Sequence, residues 1–415
     1  GRRVYVRRIN VVGNNRTRDE VVRRELRQLE NAYYDTDKII NSRRRLERTA
    51  YFSEVNIETP PVPGTSDQVD VNVRVKEQPT GALLLGIGFS SSEKIVLQGS
   101  VSQNNVLGSG KSITVGANTS KVNTNIALSY TDPYYTVDGV SRGFDTYFRR
   151  SDPTSLSLGN YRTQSVGGGV RFGYPITDID RVSMGLSLDQ TRLEVFADSP
   201  PSIISFVNRL GSAYTSLLAT AGLLRDTRDS AIWPTNGESH RLNGELSIPP
   251  GSLQYFRMTY QNQWFYSFNR NVTLMLLGEV AVGNGYGGKE MPFFKNFYAG
   301  GSGTVRGFDP NSLGPRDASD TPIGGNRRLN GSAEILFPMP GMGANRTMRM
   351  SVFMDTGQVY GKTEKVTFSD LRYSAGLGFQ WNSPFGPMKI NIGNPLNKKE
   401  NDKVQRIQFQ LGQAF

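Results

Sequence analysis

The chain has 415 residues, a net charge of +11, 37 % hydrophobic residues, 45 Gly and no Cys. Without cysteine there is no disulfide framework, no thiol catalysis and no thiolate metal site. No run of about 18 apolar residues occurs, which excludes a transmembrane helix. It does not exclude a spanning barrel, whose strands need only about 9–11 residues with every second one apolar.

The chain opens on Gly1-Arg2-Arg3-Val4 with no signal peptide, as a mature or trimmed chain would, leaving room for domains upstream. Its first fifty residues hold thirteen Arg and one Lys. Such a run is a solvated basic face or is drawn to anionic lipid head groups. Nucleic-acid binding would want stacking aromatics among the basic residues. The only candidates, Tyr33-Tyr34 and Tyr51-Phe52, read better as core packing, so no nucleic-acid partner is expected.

Residues 1–77 read as a small α+β domain. Val4 and Val6 begin a strand that continues through Ile9 and Val11 to a turn at Gly13-Asn14-Asn15. Thr17-Arg18-Asp19-Glu20 has the form of a capping box, and Val22, Leu26 and Leu29 follow on one helical face. A second helix is expected from Asp35-Thr36-Asp37, with Ile39, Leu46 and Ala50 facing inward. Two strands, Val55–Ile57 and Val69–Val75, complete the order βααββ.

That order, with Tyr51-Phe52-Ser53-Glu54-Val55 joining the second helix to its strand, resembles a POTRA domain. The resemblance implies a periplasmic domain hung from a barrel of the BamA family. Such domains bind extended client segments by strand addition to a sheet edge.

A linker at residues 78–81 ends this domain, and residues 82–415 are written almost throughout with period two. Met184, Leu186 and Leu188 alternate with Gly185, Ser187 and Asp189. Leu371, Tyr373, Ala375, Leu377, Phe379 and Trp381 alternate with Arg372, Ser374, Gly376, Gly378 and Gln380. One face suits lipid and the other a wet lumen. Trp264, Phe265, Tyr266 and Phe268 cluster as an interfacial girdle would. About 335 residues at roughly 20 per strand and turn predict about 16 strands, an even count that suits a bacterial barrel. The expected fold is therefore mainly β: an antiparallel transmembrane barrel preceded by the small βααββ domain.

Alternation stops across residues 283–328. A loop that long is functional or disordered, and Tyr286, Phe293, Phe294, Phe297, Tyr298 and Phe308 make it too aromatic for a solvated tail. It is expected to pack into the lumen. Within it, Val305-Arg306-Gly307-Phe308 is similar to the VRGF signature of the BamA superfamily. The resemblance implies that the loop tip enters the barrel and that Arg306 meets acidic groups on the inner wall. The matching acidic strands carry Glu334 in Ala333-Glu334-Ile335 and Asp355 in Met354-Asp355-Thr356. By parity, both carboxylates point away from Ile335, Phe337, Val352 and Met354, toward the lumen.

Ile407, Phe409 and Leu411 alternate with Gln408, Gln410 and Gly412, and the chain ends on Phe415. This resembles the C-terminal signature that the outer-membrane assembly machinery reads. The same resemblance implies a weak lateral seam between that strand and a short first strand around Leu83, Leu85, Gly86, Ile87 and Phe89, with Gly412 at the inward kink. Gly81, Gly86 and Gly88 would weaken pairing on the first strand.

Other signals are discounted. Gly110-Lys111-Ser112 has Asn105 where a phosphate loop wants Gly and reads as a turn. Gly300-Gly301-Ser302-Gly303 lacks the second Gly of a nucleophile elbow. His240 is the only histidine. No catalytic set, metal or cofactor is expected. The resemblance implies an outer-membrane insertase for nascent β-barrel proteins, with lipids, lipopolysaccharide and accessory lipoproteins as partners. A two-partner-type secretion barrel is the alternative.

Overall fold

The structure is a computed structural model that describes residues 3–156, 160–230, 233–341, 347–383 and 386–412. Contacts divide the chain into two units, one of residues 1–84, 100–115 and 128–143, the other of residues 85–99, 116–127 and 144–415.

The first unit holds a three-stranded sheet in the order β1-β3-β2. Strand β1 (Tyr5–Val12) runs parallel to β3 (Gln68–Glu77), and β2 (Phe52–Glu58) runs antiparallel to it. Helices α1 (Asp19–Arg23) and α2 (Thr36–Arg48) supply Val22 and Leu46, and the segment after α1 supplies Leu26, to a core with Val6, Ile9, Phe52, Val55, Val71, Val73 and Val75. A register shift between Val6 and Arg8 lets Val6 and Ile9, three residues apart, face the same side. Asp35 caps α2 by accepting from the amides of Asp37 (2.9 Å) and Lys38 (3.3 Å).

Three local expectations are corrected here. Thr17 does not cap α1; its hydroxyl accepts a 2.9 Å bond from Asn105 Nδ2. The helix stops at Arg23, so Leu29 lies beyond it and is 66 % exposed. Ala50 follows the end of α2 in a left-handed conformation (φ 57°) and is exposed. In each case a tertiary partner or a chain reversal overrode a helical pattern.

The side chain of Glu77 accepts from the amides of Thr17 (2.6 Å) and Arg16 (3.0 Å). Burial disfavours its charge, but these bonds outweigh burial and hold its pKa below the usual value. A depressed folded pKa contributes stability above the unfolded value and loses it as pH falls through the folded one. Exchange of the Arg16 and Thr17 amides in the whole chain, relative to intrinsic rates, is therefore expected to quicken below about pH 4. Glu77→Gln should remove that step. Protection that stayed flat with pH in the unsubstituted chain would contradict the assignment.

Sixteen antiparallel strands close a barrel. The first eight are β4 (Gly81–Ser90), β5 (Lys94–Gln103), β6 (Ser112–Ser120), β7 (Asn123–Asp132), β8 (Ser141–Ser151), β9 (Tyr161–Pro175), β10 (Asp180–Val195) and β11 (Ala213–Asp226). The next three are β12 (Gly237–Ile248), β13 (Tyr255–Ser267) and β14 (Thr273–Gly285). After the long loop come β16 (Arg327–Pro338), β17 (Met348–Tyr360), β18 (Arg372–Ser383), β19 (Gly386–Pro395) and β21 (Ile407–Leu411). Two short strands, β15 (Gly307–Phe308) and β20 (Val404–Gln405), pair with each other outside the barrel order.

Period-two alternation accounts for the wall because successive side chains of a strand project to opposite faces. Met184 and Leu188 are exposed while Asp189 is buried. On β13, Trp264 and Tyr266 stack at 5.7 Å and are exposed with Phe268, but Phe265 is buried on the other face. Phe265 is thus not part of a girdle; parity places it inside.

The alternation also conceals a helix, α3 (Pro201–Leu210). Pro201 sits in its first turn, where a missing N–H costs nothing. Ile203 and Phe206 are buried against Tyr161, Leu193, Tyr214, Leu218 and Tyr255.

Candidate functional site

The long loop between β14 and β16 divides its aromatics between two environments. Phe293 and Phe294 pack on Phe206 of α3 at ring distances of 5.3 and 6.4 Å. Further along, Ala299, Val305, Phe308 and Leu313 form a buried cluster with Val359 of β17. The bonds from Phe297 N to Gly325 O (2.8 Å) and from Leu313 N to Ala299 O (3.0 Å) tie the loop to itself.

Arg306 is 4 % exposed. Its Nε and Nη2 donate to the two oxygens of Asp355, each at 2.7 Å. Its Nη1 donates to Glu334 at 3.2 Å and Nη2 also reaches Ser332 Oγ at 3.1 Å. The backbone amide of Arg306 adds a 3.0 Å bond to Asp355. Ser332 Oγ donates to Asp355 Oδ1 at 2.7 Å. The guanidinium carbon lies 3.5 Å from the ring centroid of Phe353, so a quadrupole faces the cation on one side. This is the bidentate geometry that a fixed guanidinium fork makes with a carboxylate. Parity explains the wall: Glu334 and Asp355 are 3 % and 1 % exposed, while Ile335, Val352 and Met354 on the opposite face are 44–50 % exposed.

The sequence-identified residues Val305, Arg306, Gly307, Phe308, Glu334 and Asp355 therefore meet at one place. Ser332 joins them without having been singled out; it shares a face with Glu334 two positions away, and parity could have found it. A bed of glycines beneath the tip was also missed. Gly376 and Gly393 face each other across β18 and β19. A Cβ at position 393 would stand 2.8 Å from the Gly307 nitrogen and 3.0 Å from the Arg306 carbonyl carbon.

A second buried ion pair lies nearby. Arg372 Nε approaches Asp402 at 2.5 Å, with both side chains 7 % exposed or less. It ties the segment before β20 to the base of β18. Gln408 of β21, 1 % exposed, donates from Nε2 to the Phe308 carbonyl at 2.8 Å.

Among the described residues, the first and last strands share a shorter ladder than any other two barrel strands whose register is described. Strands β9 and β10 stay in register from Tyr161 against Val195 to Pro175 against Arg181. Among the described residues, β21 and β4 match only at Gln410 with Ser90 and Leu411 with Phe89. Ser91 N adds a 2.9 Å bond to the Phe409 carbonyl. Leu83, Leu85, Ile87 and Ile407 are 65–77 % exposed, and the Phe89 and Phe409 rings lie 5.8 Å apart. Gly86 sits against Gln98, whose Nε2 would be 2.7 Å from an added Cβ.

At Gly412 the backbone turns left-handed (φ 71°). Its amide stays with the Pro387 carbonyl at 2.8 Å, while its own carbonyl accepts from Gln98 Nε2 at 3.1 Å. Phe415 lies outside the described residues.

Residues 105–415 match the Omp85 superfamily domain, and residues 4–78 match the POTRA family, described as a surface antigen variable number repeat. The chain is 42 % identical, over its whole length and 57 % of the relative's, to the outer membrane protein assembly factor BamA of Neisseria meningitidis serogroup B. Among solved structures, BamA from Haemophilus ducreyi lacking POTRA domains 1–3 superposes with a TM-score of 0.87 at 29 % identity, over 99 % of this chain and 84 % of that one. CdiB from Acinetobacter baumannii shares the fold, with a TM-score of 0.64 at 13 % identity over 99 % of this chain and 74 % of that one. The chain spans about half the length of the curated relatives it matches.

Proposed function

This chain belongs to the BamA family of the Omp85 superfamily, outer-membrane barrels with periplasmic POTRA domains, and from that premise we propose that it folds and inserts nascent β-barrel proteins. The observation that carries the reading is the closure of the barrel by its first and last strands, which among the described residues match at Gln410 with Ser90 and Leu411 with Phe89.

A strand edge exposed to lipid is prohibitive unless something pairs with it. A seam with few bonds separates at small cost and offers two edges to an incoming strand. Templated pairing then lowers the entropy cost of starting a sheet in lipid. No bond is made or broken in this activity, so the chain works as a folding template rather than as an enzyme. Its partners on this reading are nascent barrel proteins, the surrounding lipid and lipopolysaccharide, and accessory lipoproteins that meet the periplasmic side. The anchor of Val305 to Phe308 on Glu334 and Asp355 holds the inward loop in place while the seam moves.

The absence of native cysteine gives a clean test. Ser90 and Gln410 are directly opposed, so Ser90→Cys with Gln410→Cys places two thiols within cross-strand reach. With the protein in liposomes, folding of a tester barrel is expected to be accelerated in the reduced state and to return to the unassisted rate on oxidation. Acceleration that survived oxidation would move the activity away from the seam. A steady large conductance without acceleration would favour a secretion pore.

A further inference from the structure

We propose that Gln408 is a positioning residue of the last strand, through which the tip of the inward loop holds one edge of the seam. This rests on the seam reading above and adds to it a named mechanical link. Among the described residues, strand β21 pairs with β19 from Ile407 against Ile392 to Leu411 against Met388 and with β4 at Gln410 and Leu411, while Phe409 bonds to Ser91 just past β4. At its near end the Gln408 side chain, and the segment just upstream, meet the loop.

Three contacts make the link. Gln408 donates to the Phe308 carbonyl at 2.8 Å in a fully buried setting. Gly307 and Phe308 pair with Gln405 and Val404, just upstream of the strand. The Asp309 amide donates to the Lys403 carbonyl at 3.0 Å. Residues 306–309 thus face two ways. The Arg306 side chain grips β16 and β17, and the next three backbone units grip the segment that becomes the last strand. The Arg372–Asp402 pair holds the start of that segment, and the Gly393 amide bonds to the Arg406 carbonyl at 2.8 Å.

The chemistry makes the arrangement consequential. A buried carbonyl without a donor is costly, and so is a buried amide side chain without an acceptor. The buried Gln408 Nε2 finds its acceptor in the Phe308 carbonyl, 100 residues away in sequence, which also takes the Gly301 amide at 3.1 Å. When the far half of β21 leaves β4, the near half keeps β19 on one side and the loop tip in the lumen. The strand then stays extended as a template edge instead of fraying. Release of Arg306 from Asp355 removes that support.

Hydrogen exchange of residues 407–411 in the full chain, reconstituted in bilayers, tests the link. Gln408→Met removes the donor while keeping the length of the side chain. It is expected to speed exchange of these amides by about two- to tenfold, the worth of one such bond, with β9 and β10 unchanged. Arg306→Ala is expected to speed the same amides, because the link runs through the loop. Unchanged exchange at 407–411 in Gln408→Met would overturn the proposal. So would an Arg306→Ala chain that loosens the loop but not the last strand. Folding of a tester barrel, followed in parallel, separates the two readings. Faster exchange with unchanged assisted folding keeps the link and removes the seam from function, whereas unchanged exchange removes the link whatever the folding rate.

Discussion

Arg306→Ala is expected to destabilise the barrel by about 3–5 kcal/mol, the usual cost of stripping one partner from a buried ion pair. Asp355 and Glu334, 1 % and 3 % exposed, would lose the guanidinium that bonds to both. The two carboxylates are not equivalent. Asp355 takes two guanidinium nitrogens at 2.7 Å, the Arg306 amide at 3.0 Å and the Ser332 hydroxyl at 2.7 Å. Glu334 takes one nitrogen at 3.2 Å, and its second oxygen is buried with no hydrogen-bond partner. Short bidentate charge-assisted bonds are the strong ones. Asp355→Asn should therefore cost on the order of 2 kcal/mol or more, and Glu334→Gln about 1 kcal/mol or less. Denaturant midpoints of the three variants in detergent micelles measure the ranking. Equal losses for the two carboxylate variants would mean that the loop is held by net charge rather than by this geometry.

The second large effect is steric. Gly393→Ala adds a Cβ whose neighbours within 3.0 Å are all backbone atoms of Arg306 and Gly307, which cannot swing aside. Either β19 or the loop tip must move. Overpacking of this kind costs about 1–3 kcal/mol, and here displacement also stretches the bonds of Arg306. We expect Gly393→Ala to lower the unfolding midpoint and to raise tryptic cleavage of residues 286–326 by on the order of tenfold, the equivalent of about 1.4 kcal/mol of local opening. Gly278→Ala is the control, since an added Cβ there meets nothing within 4 Å. If both substitutions behave alike, the glycine bed has no role in seating the loop.

Local pattern carried much of the molecule, and its failures have physical causes. The alternation at Met184, Leu186 and Leu188 reads correctly because strand geometry sends neighbours to opposite faces wherever the strand sits. Applied strictly, the same rule separates Phe265 from Trp264 and Tyr266. The Thr17 capping box fails because Asn105, 88 residues away, competes for the hydroxyl. Helix α3 escaped notice because its ten residues interrupt a long period-two region, although Pro201, Ile203 and Phe206 carry a helical spacing.

The candidate site divides along the same line. Val305 to Phe308, Glu334 and Asp355 were legible from a motif and from parity, and Ser332 was within reach of parity. The facing pair Gly376 and Gly393 was not, because their meaning depends on which loop is laid over them. Nor was the bond between Gln408 and Phe308 legible, or the pairing of Gly307 and Phe308 with Gln405 and Val404.

By itself, the sequence determined which residues face lipid and which face the lumen, since two-residue periodicity is a property of the local backbone. It also determined that Arg306, once buried, needs a carboxylate, since a guanidinium is never neutral in a protein. Only the tertiary structure decided that the loop tip meets the last strand and which described residues of this strand meet the first. Those contacts join segments separated by 100 and by about 320 residues, and their register is set when the sheet closes on itself rather than by any local preference.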